Sequence, residues 1–193
     1  MKTGRLEAFS DGVLAIIITI MVLELKVPEG TDISNLMPLL PKFLSYILSF
    51  VYVGIYWNNH HHLFHIIERV NGNILWANLA LLFSLSLLPF TSAWMGENHF
   101  ASSPTILYGV NLLLCASTFT ILEIIAIKSN GSQSKLARAI KNKMKENASV
   151  ILYSVGILLG YFYPIASMLC YSIVALIWII PDTRIEKFLD STE

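Results

Sequence analysis

The sequence contains few charged residues. Asp, Glu, Lys and Arg make up 13% of the 193 residues, whereas 55% of the residues are hydrophobic and the mean hydropathy is +0.63. Soluble domains typically contain about 25% charged and about 45–50% apolar residues. This composition excludes an ordinary soluble domain and indicates a protein whose main partner is the lipid bilayer. We expect no nucleic acid partner.

Cysteine is also scarce. Cys115 and Cys170 are the two cysteines of the chain, and both lie within apolar runs. A free cysteine in such surroundings behaves as a small hydrophobic residue. We therefore expect no disulfide, no metal site and no cofactor.

Long apolar runs account for most of the chain. About 20 apolar residues cross the hydrocarbon core of a bilayer as a helix. We predict an all-α polytopic membrane protein with one six-helix domain over residues 1–193, with helices near 8–26, 42–65, 73–95, 103–127, 149–164 and 166–181. The last two helices are short and are separated at Tyr163-Pro164, so one bent helix is the competing interpretation.

Basic residues favour six spans with both termini in the cytoplasm. This orientation leaves only Lys26 and Lys42 outside, as the positive-inside rule prefers. A single crossing over residues 149–181 would place Arg184 and Lys187 outside and weaken that asymmetry. The polar, basic segment 128–148 would then be a cytoplasmic loop, either a solvated linker or a short amphipathic helix on the membrane surface.

The first predicted helix carries one stripe of candidate functional residues. Ile16, Thr19, Ile20 and Leu23 share this stripe because their spacing follows the helical period. Such a stripe is often simple packing. On a symmetry axis, however, rings of isoleucine or leucine could line a pore and control conduction by dewetting, so both interpretations remain open.

Polar residues in the first three helices are expected at a similar depth near the cytoplasmic side. They are Arg5, Ser10 and Asp11 in the first helix, His60, His61 and His62 in the second, and Asn78 in the third. Unsatisfied polar groups are costly in lipid, so we expect Asp11 to share a network with Arg5, a histidine and Asn78. This network is either a clasp that fixes helix packing or a direct participant in ion passage or proton sensing.

A run of histidines ends the second predicted helix. His61 and His65 are four residues apart and could share a helix face, as zinc-binding histidines do. The Glu-x-x-His spacing of zinc proteases is absent, so we assign no metal here. Gly156 and Gly160 form a Gly-x-x-x-Gly motif that would permit close packing within or between subunits.

The first-helix motif resembles the signature of the transmembrane protein 175 family of potassium channels. The motif is Arg5-x-x-x-Phe9-Ser10-Asp11-Gly12, followed by Ala15-Ile16 and Thr19. Trp57 with His60 and Leu63-Phe64 resembles the family's second helix, and Asn78-Leu79 with Leu88-Pro89-Phe90 resembles its third. The resemblance covers roughly residues 5–91.

The resemblance implies a potassium channel that is passive and only weakly selective over sodium. Single-unit members of this family are prokaryotic, which implies a homotetramer in a plasma membrane, with the first helix lining a central pore. Ile16, Thr19 and Leu23 match the family's pore constrictions, and Ile16 would form the narrowest hydrophobic ring. The family's inner packing network is matched by Arg5, Phe9, Ser10, Asp11, His60 and Asn78, whereas His61, His62 and His65 match no family position.

Two other functions remain as alternatives. A proton-coupled transporter could use Asp11 and the cluster His60–His65 as a relay, and it would predict inverted repeats and broken helices near the midplane, neither of which is visible. A membrane metalloenzyme could be built on the histidine run. We expect neither covalent chemistry nor a bound metal.

Overall fold

The computed structural model describes residues 3–131, 134, 136–137 and 143–179. Over these residues the chain is helical and contains no β-strand, which confirms the all-α fold. Its α-helices are α1 (Gly4–Leu23), α2 (Leu40–Ile66), α3 (Gly72–Ser86), α4 (Leu88–Glu97), α5 (Ser102–Asn130), α6 (Met144–Leu159) and α7 (Pro164–Ile179). A short 3-10 helix, Ile33–Leu39, precedes α2.

Four helical segments in the described part of the chain are long and apolar enough to cross a membrane. They are Gly4–Leu23, Ile33–Ile66, Gly72–Glu97 and Ser102–Asn130, and α7 is a shorter apolar helix. The molecule is therefore a multi-pass membrane protein. The last two helices, α6 and α7, have 16 residues each, so both are shorter than a typical spanning helix.

The first two helices differ from their predicted bounds by a few residues. The first was expected over 8–26 but runs from Gly4 to Leu23, because backbone hydrogen bonds begin at Thr3 and the chain leaves the helix before Pro28. The second begins at Leu40 and follows the 3-10 turn that contains Pro38. Hydropathy identifies the apolar centre of a helix and does not locate its ends.

The third predicted span, 73–95, is two helices joined at Leu87. Pro89 lies in the first turn of α4 and has no N–H to donate to the carbonyl four residues earlier. The break thus follows from the Leu88-Pro89 sequence. The segments α3 and α4 together still form one candidate span, Gly72–Glu97.

The last two helices are separate and pack against each other. Helix α6 begins at Met144, earlier than the expected 149, and ends at Leu159, whereas α7 begins directly at Pro164. Proline is favoured in a first helical turn because its missing N–H would have no partner there. The basic segment 128–148 is shortened by α5 and α6, and residues 132, 133, 135 and 138–142 lie outside the described part.

Buried tyrosines connect α2, α5 and α7 in the core. Tyr52 donates from its hydroxyl to the Tyr171 carbonyl at 2.6 Å. The Ser49 and Tyr108 hydroxyls are 3.0 Å apart, and the Tyr171 hydroxyl donates to the Thr105 carbonyl at 3.4 Å. Each of these pairs joins two helices. The core is therefore held by specific hydrogen bonds as well as by apolar packing.

Both glycines of the Gly-x-x-x-Gly motif pack within the chain. A Cβ added at Gly156 would lie 2.5 Å from Cε1 of Tyr171, and one added at Gly160 would lie 2.6 Å from Cγ1 of Ile106. These distances are too short for real contacts, so each glycine accommodates a side chain of a neighbouring helix. The motif serves packing of α6 against α5 and α7.

Candidate pore-lining face and polar network

Helix α1 buries one side and leaves the other open. The buried residues recur every three or four positions and pack towards α2, α3 and α4; they are Leu6, Ser10, Leu14, Ile17 and Met21. The opposite side is mostly apolar and is left exposed by the described residues. A helix with this length and composition and one uncovered apolar face is suited to contact lipid or other subunits.

The candidate pore residues lie on this open side. Ile16 is 60% exposed, Ile20 43% and Leu23 75%. Thr19 is exposed too, and its hydroxyl donates to the Ala15 carbonyl at 2.8 Å. This bond within the helix leaves lone pairs of the threonine oxygen directed away from the backbone. The stripe is therefore apolar with one hydroxyl between Ile16 and Leu23.

A buried chain of hydrogen bonds joins the first three helices. The Asn78 amide donates to the Ser10 hydroxyl at 3.0 Å, and Ser10 donates to the Leu6 carbonyl at 2.9 Å. On its other side, the Asn78 carbonyl oxygen is 2.8 Å from Nε2 of His60. Ser10 and Asn78 are 0% exposed and His60 is 2% exposed. One asparagine thus connects α1 to α2 through α3.

Asp11 belongs to a second, exposed contact. Its Oδ1 accepts a hydrogen bond from Nε1 of Trp57 at 3.0 Å, so α1 and α2 are joined again beside the buried chain. We expected direct contacts of Asp11 with a histidine and Asn78, but Asn78 bonds to Ser10 and His60 instead. Arg5 and Phe9 are exposed on α1, and among the described residues Arg5 forms no hydrogen bond or ion pair with Asp11.

The sequence did not reveal a second buried polar cluster at the break between α3 and α4. Asn111 of α5 donates to the Ser84 carbonyl at 2.8 Å and accepts from the Thr91 hydroxyl at 3.0 Å. The Thr118 hydroxyl donates to the Ser84 hydroxyl at 3.3 Å. Asn111 supplies a donor where the helix is interrupted. Two features of the sequence could have indicated this cluster: Asn111 within one apolar run and Pro89 within another.

Comparison with known proteins identifies the family. A protein-family model described as endosomal/lysosomal potassium channel TMEM175 matches residues 5–89. This part of the chain contains both the stripe and the polar network. A potassium channel of Chryseobacterium sp. strain P1-3 is 60% identical over 189 residues, which cover 98% of each chain. The chain belongs to the TMEM175 family.

A solved TMEM175 structure has the same fold. The crystal structure of a lysosomal potassium-selective channel TMEM175 homolog from Chamaesiphon minutus matches with a TM-score of 0.81 and 28% sequence identity. The match covers 93% of this chain and 97% of that chain. The fold of the whole TMEM175 unit is therefore shared, including the helices beyond residue 89.

An animal TMEM175 protein matches a smaller part. The zebrafish protein, named an endosomal/lysosomal proton channel, is 32% identical over 125 residues. These residues cover 62% of this chain and 23% of the zebrafish protein. The chain thus aligns with about a quarter of its animal relative.

Proposed function

We propose that this protein is a homotetrameric potassium channel with a central pore lined by α1. The observation that carries the proposal is the uncovered apolar stripe of α1, formed by Ile16, Thr19, Ile20 and Leu23. Its bacterial relative is named a potassium channel, and the solved homolog is titled potassium-selective. Four copies of the stripe around one axis would bury it and enclose an ion path.

The constriction we propose is hydrophobic. Ile16 is 60% exposed and is the stripe residue nearest the middle of α1, and a ring of four isoleucines would expel water from a narrow pore. An ion then passes only by losing part of its water, and no ring of carbonyl groups replaces that water. Because K⁺ holds its hydration shell less tightly than Na⁺, this mechanism favours K⁺, but only weakly.

The polar network acts as a clasp in this proposal. Asn78 holds Ser10 and His60, and Trp57 holds Asp11, so α1 is fixed against α2 and α3. The clasp orients the opposite face of α1 towards the axis. Flux through the pore is passive, needs no cofactor and involves no covalent chemistry. We place the channel in the plasma membrane of a prokaryote, with both termini in the cytoplasm.

A proton-coupled transporter that uses Asp11 and the cluster His60–His65 is the second candidate. The name of the zebrafish relative, a proton channel, favours some proton movement in this family. The geometry argues against a direct relay, because the Asn78 amide lies between His60 and Ser10 and an amide does not readily accept and release protons. The transporter therefore remains the alternative.

Ion flux from liposomes that contain the purified protein tests the proposal. A potassium gradient is applied with a proton ionophore to relieve charge accumulation, and the assay is repeated with sodium. We expect potassium to flow down its gradient without a proton gradient, and faster than sodium. Flux that requires an imposed proton gradient would support the transporter instead. Equal rates for potassium and sodium would contradict the proposed selectivity.

A further inference from the structure

Three aromatic side chains form a ladder along one face of α2. Trp57, His61 and His65 follow each other at four-residue intervals. The ring centroids of Trp57 and His61 are 6.3 Å apart and nearly parallel, and those of His61 and His65 are 6.2 Å apart. This ladder is separate from the buried chain, which uses His60. The proposed channel function gives no role to His61 or His65.

The two histidines are accessible near the end of α2. His61 and His65 are both exposed, and the helix ends one residue later at Ile66. The connection that follows contains the exposed residues Glu68 and Arg69. A polar connection next to His65 allows a hydrated ion to reach both imidazoles. The site would not require the ion to cross the apolar part of the bundle.

Although we expected no metal site from the sequence, both rings are exposed and their centroids are 6.2 Å apart. We therefore propose that His61 and His65 form a bidentate site for a divalent transition-metal ion such as Cu²⁺, Ni²⁺ or Zn²⁺. Residues four apart on a helix lie on the same face one turn apart. Imidazole nitrogen suits these ions and binds zinc at about 2.0–2.1 Å. With ring centroids 6.2 Å apart, small side-chain rotations direct one nitrogen of each ring at a common ion.

The site holds an exchangeable ion. Among the described residues, no group of three or more His, Cys, Asp or Glu side chains is arranged to hold a metal. Two protein ligands leave the remaining coordination positions to water. Such a site binds a metal ion more weakly than a structural zinc site with four protein ligands. Among divalent first-row metal ions, it should bind Cu²⁺ most tightly.

Trp57 provides a direct reporter for metal binding. Its indole stacks on His61, so an ion bound to His61 lies close to the ring, and Cu²⁺ at short range quenches indole fluorescence. To test copper binding, the full chain is purified in detergent without a polyhistidine tag and is then titrated with copper chloride. We expect saturable quenching, with H61Q and H65Q each raising the half-saturating copper concentration by about tenfold or more.

Three further variants separate this site from its neighbours. H99Q should titrate like the wild type, because His99 lies beyond α4. H62Q should do so too: the His62 ring centroid is 5.7 Å from that of His61, but the two rings meet edge-on at 61° and His62 is only partly exposed. W57F should lose the saturable component of the quenching. Each variant is compared by gel filtration, so that loss of folding is distinguished from loss of binding.

Two results of the titration would contradict the proposed metal site. Identical half-saturation in the wild type, H61Q and H65Q would overturn the site, and an equally large loss in H62Q would overturn the choice of this pair. The measurement uses no ion flux. Its outcome is therefore independent of whether the channel function is correct.

Discussion

Ile16 is the residue on which the proposed constriction depends. It is 60% exposed on α1, and Ile151 on α6 offers a matched control at 62% exposure. We predict that I16N raises potassium flux several-fold and reduces the preference for potassium, because an amide ring stays hydrated where an isoleucine ring dewets. The same liposome assay should give wild-type flux and selectivity for I151N. Unchanged flux in I16N would show that Ile16 is not the constriction.

Asn78 is the residue whose loss should most weaken the clasp. N78A leaves the His60 ring nitrogen and the Ser10 hydroxyl without their buried partner. We predict a loss of about 1–3 kcal/mol in the free energy of unfolding, the usual cost of buried polar groups that lose a hydrogen bond. This difference in the free energy of unfolding is measured by titrating the wild type and N78A with a denaturing detergent. N98A is the control, because Asn98 is exposed and, among the described residues, its side chain bonds only to the Trp94 carbonyl one turn earlier.

The same variant separates the two interpretations of the polar network. If the network is only a clasp, N78A lowers stability and leaves the potassium-to-sodium flux ratio of the folded protein unchanged. A changed flux ratio at full stability would instead indicate that Asn78 or His60 contacts the ion path. The N98A control should change neither quantity.

Residue identity did not separate the polar side chains that are buried from those that are exposed. Asn78 was expected in a network from its place in an apolar helix and Ser10 from the family resemblance, and these two are hydrogen-bonded and buried, whereas Asp11 is exposed. The partner of Asp11 was not predictable in this way, because the Trp57 indole competes with Arg5 and the histidines for the carboxylate. Partner choice depends on helix rotation, which hydropathy does not determine.

Gly156 determines how closely α6 approaches α7. The Tyr171 ring occupies the space where a side chain at position 156 would begin. We predict that G156A destabilises the protein by about 1–3 kcal/mol, as overpacked cores generally do. The matched control is G54A in the middle of α2, where, among the described residues, an added Cβ meets no atom within 4 Å apart from the backbone of its own helix. Unfolding in denaturing detergent should show G54A as stable as the wild type or slightly more so, because alanine favours helices. Equal stability of G156A and the wild type would contradict this packing.

The existence of each helix was more predictable than its ends or breaks. Hydropathy located every apolar segment, because about 20 such residues are needed to cross a bilayer. The interruption at Leu87 was not predicted, although Pro89 indicates it. A proline within an apolar run is compatible both with a break between two helices and with one continuous, kinked helix. Asn111 compensates for that break from another helix, and contacts between distant segments cannot be read from local sequence.

At the scale of the whole molecule, the described residues leave one face of α1 exposed. Lipid accepts any apolar surface, whereas the open face of α1 also carries the Thr19 hydroxyl and is bordered by Asp11. Composition cannot distinguish a lipid-facing stripe from a pore-lining one, because both are aliphatic. The proposal that this face lines a pore therefore rests on the family resemblance, since its motif lies on this helix.

The proposed tetramer makes a geometric prediction for the same face. If four α1 helices surround one axis, residues at the constriction of adjacent subunits lie close together, and disulfides form when Cα atoms are within about 7 Å. We predict that I16C yields dimers linked by a disulfide after mild oxidation in membranes, seen by non-reducing electrophoresis. The wild type and I151C should stay monomeric under denaturation, because Cys115 is buried, Cys170 is only partly exposed on α7 and position 151 lies on α6. Cross-linking of I151C with none in I16C would place α6 at the subunit contact and remove α1 from the axis.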